Sequence, residues 1–329
     1  MASPPTAGSG VARLHTLIAE LRLPVVAAPM TRISGPELVA AACAAGIIGS
    51  MPAHNASTTA ELDSMLTGLL SGLGDAGRLL MPNLVVHRAN SRIDADLECC
   101  ADHQVSAVIT SVGAPDSVVR SLHRAGIAVL ADVASVAHAE RAVRAGVDGL
   151  VLLTAGAGGQ TGAANPFAFV REVRLRFDGV IALAGGIGDG RSILAAQVAG
   201  ADLAYLGTRF LATDKSRADE RYRQAVLEAG LDDVRLTSRI SGIPSSILQS
   251  WLDQHEPDPA ITTAGFDFGS LTDAGPFAWS AGHAVSAIRQ TDSVADVVAA
   301  LDAEYRSAVD DTLARWRPTP TPHTTSGKE

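Results

Sequence analysis

The segment Ala155-Gly156-Ala157-Gly158-Gly159-Gln160-Thr161-Gly162 is the part of this chain best suited to chemistry. It directly follows the apolar run Gly149-Leu150-Val151-Leu152-Leu153. Glycine lacks the Cβ that would hold a ligand away, so such a segment can bring bare backbone N–H groups against it. Two more strand-then-glycine edges follow, Leu183-Ala184-Gly185-Gly186-Ile187 and Tyr205-Leu206-Gly207-Thr208-Arg209. The N–H groups of Gly186, Gly207 and Thr208, with the Thr208 hydroxyl, suit a phosphate dianion. The three edges together point to one anionic, phosphate-bearing cofactor. Glycine could also serve these turns through backbone freedom alone.

Other residues fit the same picture. Ala28-Pro29-Met30 ends an apolar run with groups that let a flat ring lie against backbone, although Met30 could equally fill core. Asn83 is an amide in the apolar stretch Met81-Pro82-Asn83-Leu84 and needs a partner, from a cofactor heteroatom or from neighbouring backbone. Asp132 ends a further apolar run and is a candidate polar group at the same mouth.

These edges need a scaffold that gathers strand ends. Strands are expected at Pro24–Met30, Ile47–Ser50, Arg78–Val86, Val105–Thr110, Ile127–Asp132, Asp148–Leu153, Val180–Ala184 and Ala201–Leu206, with helices between them. The strands are continuously apolar, as when both faces are buried. Ala-Gly pairs ending at Gly46, Gly126, Gly146 and Gly200 suit helix C-caps that lead into the next strand. Eight such units in roughly 190 residues favour an α/β (β/α)8 TIM barrel over an open doubly wound sheet. After Thr208 the rhythm breaks. Helices are expected at Arg217–Ala229, Pro244–Trp251 and Val294–Arg315, and no clear strand within 214–275. The organisation expected is an N-terminal extension at 1–20 and a cofactor-binding barrel from 21–213 and 276–317. A helical substrate-covering cap at 214–275 is inserted after strand eight, and a disordered tail occupies 318–329.

Composition narrows the function. The chain has 329 residues, 47% of them hydrophobic, which suffices for a large core. A net charge of −9 and an aromatic content of 4% argue against nucleic acid and against an acidic membrane surface. No signal peptide is evident, and the longest apolar stretch, Leu38–Ile48, is too short to span a bilayer. Cys43, Cys99 and Cys100 lack zinc-ligand spacing and read as free thiols in a reducing cytoplasm. Gly185-Gly186-Ile187-Gly188-Asp189-Gly190 has the glycines of a dinucleotide fingerprint but sits on the seventh repeat, without the acidic ribose partner.

Taken together, Ala28-Pro29-Met30, Asn83, the Ala157–Gly162 loop, Ala184-Gly185-Gly186-Ile187 and Gly207-Thr208-Arg209-Phe210-Leu211 resemble the nitronate monooxygenase family, formerly called 2-nitropropane dioxygenases. Thr237-Ser238-Arg239-Ile240-Ser241-Gly242 and Trp279-Ser280-Ala281-Gly282-His283 are similar to its later motifs. The resemblance covers about residues 20–310. It implies a TIM barrel with FMN and a second, helical domain. It places Met30, Asn83, Gly158, Gly186, Tyr205, Leu206, Gly207 and Thr208 at FMN, with Ala28, Pro29, Gly159 and Gly185 on the same edges.

One departure from the family matters, beside lesser ones at Leu153, where the family has Gln, and Gly156, where it often has an acidic residue. The family's catalytic histidine falls at Gln160, and an amide cannot exchange a proton near neutral pH. Gln160 is still expected to orient a nitro or carbonyl oxygen. His283 stands where the family more often has Gln, which suggests an exchange of roles if both line one pocket. His54 and His87 follow barrel strands and could reach the mouth.

The resemblance implies an FMN-dependent oxidoreductase that takes a small-molecule nitronate or nitroalkane with O2. NAD(P)H is left open as a reductant, and a homodimer as the assembly. Two other readings stand beside it: a flavin-dependent enoyl-thioester reductase or dehydrogenase on the same scaffold, and a flavin-free barrel that binds a phosphorylated metabolite.

Overall fold

Eight parallel strands close into a barrel in this computed structural model, which describes residues 8–240, 242–255 and 277–316. The strands are β1 (Val25–Ala27), β2 (Ile48–Pro52), β3 (Leu80–Val85), β4 (Ala107–Ser111), β5 (Ala128–Val133), β6 (Gly149–Leu153), β8 (Val180–Ala184) and β9 (Leu203–Leu206). The ring shuts where β9 pairs with β1, in the register Val25 to Ala204, Val26 to Tyr205 and Ala27 to Leu206. Nearly every strand residue is buried, because the barrel interior covers one face and the helices the other.

The intervening helices start and stop as their sequences direct. The side chains of Thr58, Ser135 and Asn165 cap helix N-termini, at α3 (Thr59–Leu73), α6 (Val136–Ala145) and α7 (Pro166–Arg174). Gly146 and Gly200 end α6 and α8 (Gly190–Ala199) in the left-handed conformation, at φ 88° and 109°. The glycines of the 185–190 stretch serve a structural purpose: Asp189 caps α8, accepting the Ser192 N–H at 2.7 Å. Cys43, Cys99 and Cys100 are buried and free of disulfides. Burial pushes the Cys43 thiol up to about 12, so it stays protonated and unreactive.

Two regions sharpen the sequence reading. Residues within the expected N-terminal extension form α1 (Gly8–Ala19), whose buried Leu14 and Leu17 join the barrel core, with contacts to β5 and β8. The last helix, Val294–Trp316, packs between α8 and α2 (Pro36–Ala44) and so completes the outer ring. Gly190 makes that contact close: a Cβ there would meet the Tyr305 backbone N at 2.0 Å.

Between β9 and that helix lies the segment expected as a cap, which carries a second hydrophobic core. Its core gathers Tyr222, Val226, Ile247, Trp251, Trp279 and Val285. The cap is not purely helical. Expected helix 244–251 is instead strand β11 (Ser245–Leu248) followed by a single turn, Gln249–Leu252. β11 lies between β10 (Val234–Thr237) and a two-residue strand β7 (Gly159–Gln160), antiparallel to both. The four residues Ser245-Ser246-Ile247-Leu248 are too few to carry a period that separates strand from helix, and pairing with two neighbours makes them a strand here. The expected cap residues 256–276 and the tail 318–329 lie outside the described residues.

Candidate active site

The C-terminal ends of the barrel strands open into a cavity of about 380 Å³, a size in the range of small-molecule sites. The barrel forms its floor and the cap its roof. Each residue expected on the cofactor side lines it: Ala28, Pro29, Met30, Asn83, Asp132, Gly158, Gly159, Gly185, Gly186, Tyr205, Leu206, Gly207 and Thr208. The roof is apolar, with Ile33, Leu211, Ile240, Ile243, Ile247 and Phe277.

The wall after β1 is tied in place by two side chains. Ser34 Oγ accepts the Met30 N–H and donates to Ala28 O, each at 3.0 Å. Asn55 Nδ2 donates to Ser34 O at 2.9 Å and Met30 O at 3.2 Å, while its Oδ1 accepts the Arg32 N–H at 2.7 Å. Arg32 sits at φ 60°, and its guanidinium lies 5.3 Å from the centre of the Phe277 ring.

The glycine-rich loop after β6 is equally constrained. Thr154 Oγ1 donates to Ala184 O, and Thr161 Oγ1 donates to Thr154 O, both at 2.7 Å. Pairing of Gly159–Gln160 with Ser245–Ser246 makes the loop one edge of the cap sheet, and Gln160 lines the cavity from there. A Cβ at Gly158 would meet Gly282 N at 2.8 Å and Thr208 Oγ1 at 3.0 Å. A Cβ at Gly185 would stand 2.3 Å from Thr154 Oγ1. Backbone therefore forms this rim because side chains would not fit.

The rim also supplies donors for an anion. Helix α9 (Thr208–Leu211) opens at Gly207 with N–H groups that have no partner inside the helix. Thr208 Oγ1 accepts the Gly282 N–H at 2.9 Å, which leaves its own proton to donate. Gly186 N–H already reaches Gly156 O, at a long 3.3 Å. Flat apolar wall, glycine rim and donor cluster fit a ring-bearing phosphate ester such as FMN.

A polar strip crosses the floor. Asn83 Nδ2 donates to Ser111 Oγ at 2.6 Å and to Ile109 O at 3.1 Å. The Ser111 hydroxyl and the Val112 N–H favour the charged form of Asp132, yet burial outweighs them and pushes its carboxyl up to about 6. His54 is pressed the other way, down to about 4, by burial and by the Arg92 charge. Its Nε2 lies 3.0 Å from Thr31 Oγ1, and its buried Nδ1 has no hydrogen-bond partner.

A family model described as nitronate monooxygenase matches residues 81–302. The chain belongs to the nitronate monooxygenase family. A nitronate monooxygenase of Paraburkholderia phytofirmans is 29% identical, over 87% of this chain and 93% of that one. A solved nitroalkane oxidase of Streptomyces ansochromogenes superposes with a TM-score of 0.78 at 26% identity, over 90% of this chain and 99% of that one. An octahydroindene-carboxyl-CoA dehydrogenase of Rhodococcus jostii is 28% identical, over 72% of this chain and 66% of that one. Members of this family are oxidoreductases, and so is this chain.

The structure separates the two side chains expected to share catalysis. Gln160 lines the cavity, but His283 is exposed and is not among the lining residues. His283 N donates to Gly156 O at 2.9 Å, and its ring packs against Gly156 where a Cβ would lie 2.7 Å from Nδ1. His54 lines the cavity and His87 does not. Sequence reasoning missed Ser34, Asn55, Ser111 and Val112. Ser111 was legible as the polar residue ending β4; Ser34 and Asn55 act across long loops, which spacing does not reveal.

Proposed function

We propose that this chain is an FMN-dependent oxidoreductase that oxidises a nitronate or nitroalkane with O2. The observation that carries the reading is the cavity itself: a glycine-rich rim over β6, β8 and β9, facing a largely apolar roof. The donors at Gly207 and Thr208, with the rim at Gly185 and Gly186, would hold the phosphate. Ala28, Pro29 and Met30 would form the wall beside the ring, and Asn83, Tyr205 and Leu206 the floor. FMN supplies an acceptor for two electrons and a route for passing them to O2. The chain's own part is to bind, orient and exclude water. Gln160, which lines the cavity from the strand paired with Ser245–Ser246, would donate a hydrogen bond to a nitro oxygen. The aliphatic roof dries the site and strengthens that bond.

A second reading keeps the scaffold and changes the substrate. The Rhodococcus relative is named for a CoA-thioester dehydrogenase, and the amide Gln160 suits a thioester carbonyl as well as a nitro group. An anaerobic spectral titration distinguishes the two. Purified protein is expected to be yellow, and nitronate is expected to bleach it faster than NADH or NADPH. Bleaching by the nicotinamides alone would favour the dehydrogenase. Colourless protein that takes up no FMN would favour a phosphorylated metabolite instead. The reading further assigns the protein to the cytoplasm, with a homodimer as the assembly to test by solution mass.

A further inference from the structure

Among the described lining residues, few can exchange a proton: Arg32, His54, Asp132, Tyr205 and Tyr222. Arg32 keeps its charge at any working pH. Burial pushes both tyrosines up, so they stay protonated. His54 is held neutral and is a poor base. Gln160 is an amide. Only Asp132 can gain and lose a proton close to neutrality.

The fold also fixes where Asp132 sits. Its β5 position pairs it beside Val151, and it meets the end of β4 through Ser111 and Val112. Val112 stands at φ 50°, a conformation that a β-branched residue rarely adopts. Such strain persists only where neighbours impose it, and it clusters at functional sites. Here it accompanies a Val112 N–H whose nearness favours the charged Asp132 carboxyl. Ser111 is itself fixed by Asn83, at 2.6 Å. The charged groups bearing on Asp132 are few: no cation contributes to its shift, and Tyr205 faces it as a neutral phenol.

We propose that Asp132 is the base of this site, taking the proton from the carbon that bears the nitro group of a neutral nitroalkane. The C–H electron pair moves into the nitro group, which becomes the nitronate, and Asp132 becomes the neutral acid. Gln160 orients the nitro oxygens while this happens. The proposal rests on the oxidase reading above.

The test compares wild type with Asp132→Asn, both as full-length, FMN-loaded protein, on a neutral nitroalkane and on its preformed nitronate. Asp132→Asn is expected to lose about 100-fold or more on the neutral substrate, a clearly larger factor than it loses on the nitronate. Wild-type kcat/KM for the neutral substrate is expected to rise with pH through about 6 and then level, and the variant is expected to show no such rise. A second readout needs no turnover. The infrared carbonyl stretch of a protonated carboxyl, seen in wild type at about pH 5 and lost by about pH 8, should be absent from Asp132→Asn. Equal loss on both substrates, or a variant that no longer holds FMN, would show a cofactor-holding role and overturn the proposal. Wild type that oxidises nitronate but no neutral nitroalkane overturns it and leaves the oxidase reading intact. Wild type that oxidises neither sinks both.

Discussion

At the scale of single residues, the carboxyl of Asp132 has a thermodynamic signature as well as a chemical one. Its ordinary value of 3.8 rises to about 6 in the folded chain. Between those values the folded state binds more protons than the unfolded one, so stability falls as pH rises through the window. The full cost is present above about 6 and absent below the unfolded value. Asp132→Asn is therefore expected to melt higher than wild type at neutral pH, by up to about 3 kcal/mol, with the gap closing toward pH 4. Thermal melts across that range check it, and a gap that is constant with pH would deny the shift. Much at this scale was legible in the sequence. Asn83, Gly158 and Thr208 stand out as an amide in an apolar strand and as small groups at strand ends. Val112 was not legible, because nothing in a valine announces a left-handed backbone.

At the scale of elements, the site depends on loops that are fastened rather than merely connected. Ser34 is 0% exposed and holds both ends of the Ala28–Met30 wall. Ser34→Ala would leave the Met30 N–H without its acceptor, at a cost of about 1 kcal/mol or more. The expected result is a lower melting temperature and about tenfold weaker FMN binding, measured by fluorescence titration. Unchanged affinity would mean that the wall does not touch the ring. The strands of the barrel were readable because each is a continuous apolar run closed by a turn signal. The β10–β11–β7 sheet was not, since its middle strand is short and its partner at Gly159–Gln160 lies some 85 residues earlier, beyond any local pattern.

At the scale of the whole molecule, barrel and cap are two cores that share Met30 at their junction. Trp279 stacks on Tyr222 with ring centres 5.7 Å apart, and Tyr222 Oη donates to the Ser280 carbonyl. Trp279→Ala is expected to cost about 3 kcal/mol of stability. Its KM is expected to rise while FMN content holds, because the barrel side of the cavity is untouched. A KM equal to wild type would place the substrate away from the cap. The order of elements has a further consequence. Some 87 residues separate β9 from the helix Val294–Trp316 that completes the outer ring. During synthesis, α8 and α2 wait with a bare flank until that helix leaves the ribosome. The nascent chain thus carries an open seam through almost all of translation, and a stop near residue 290 would leave the seam sticky and the protein a client of chaperones.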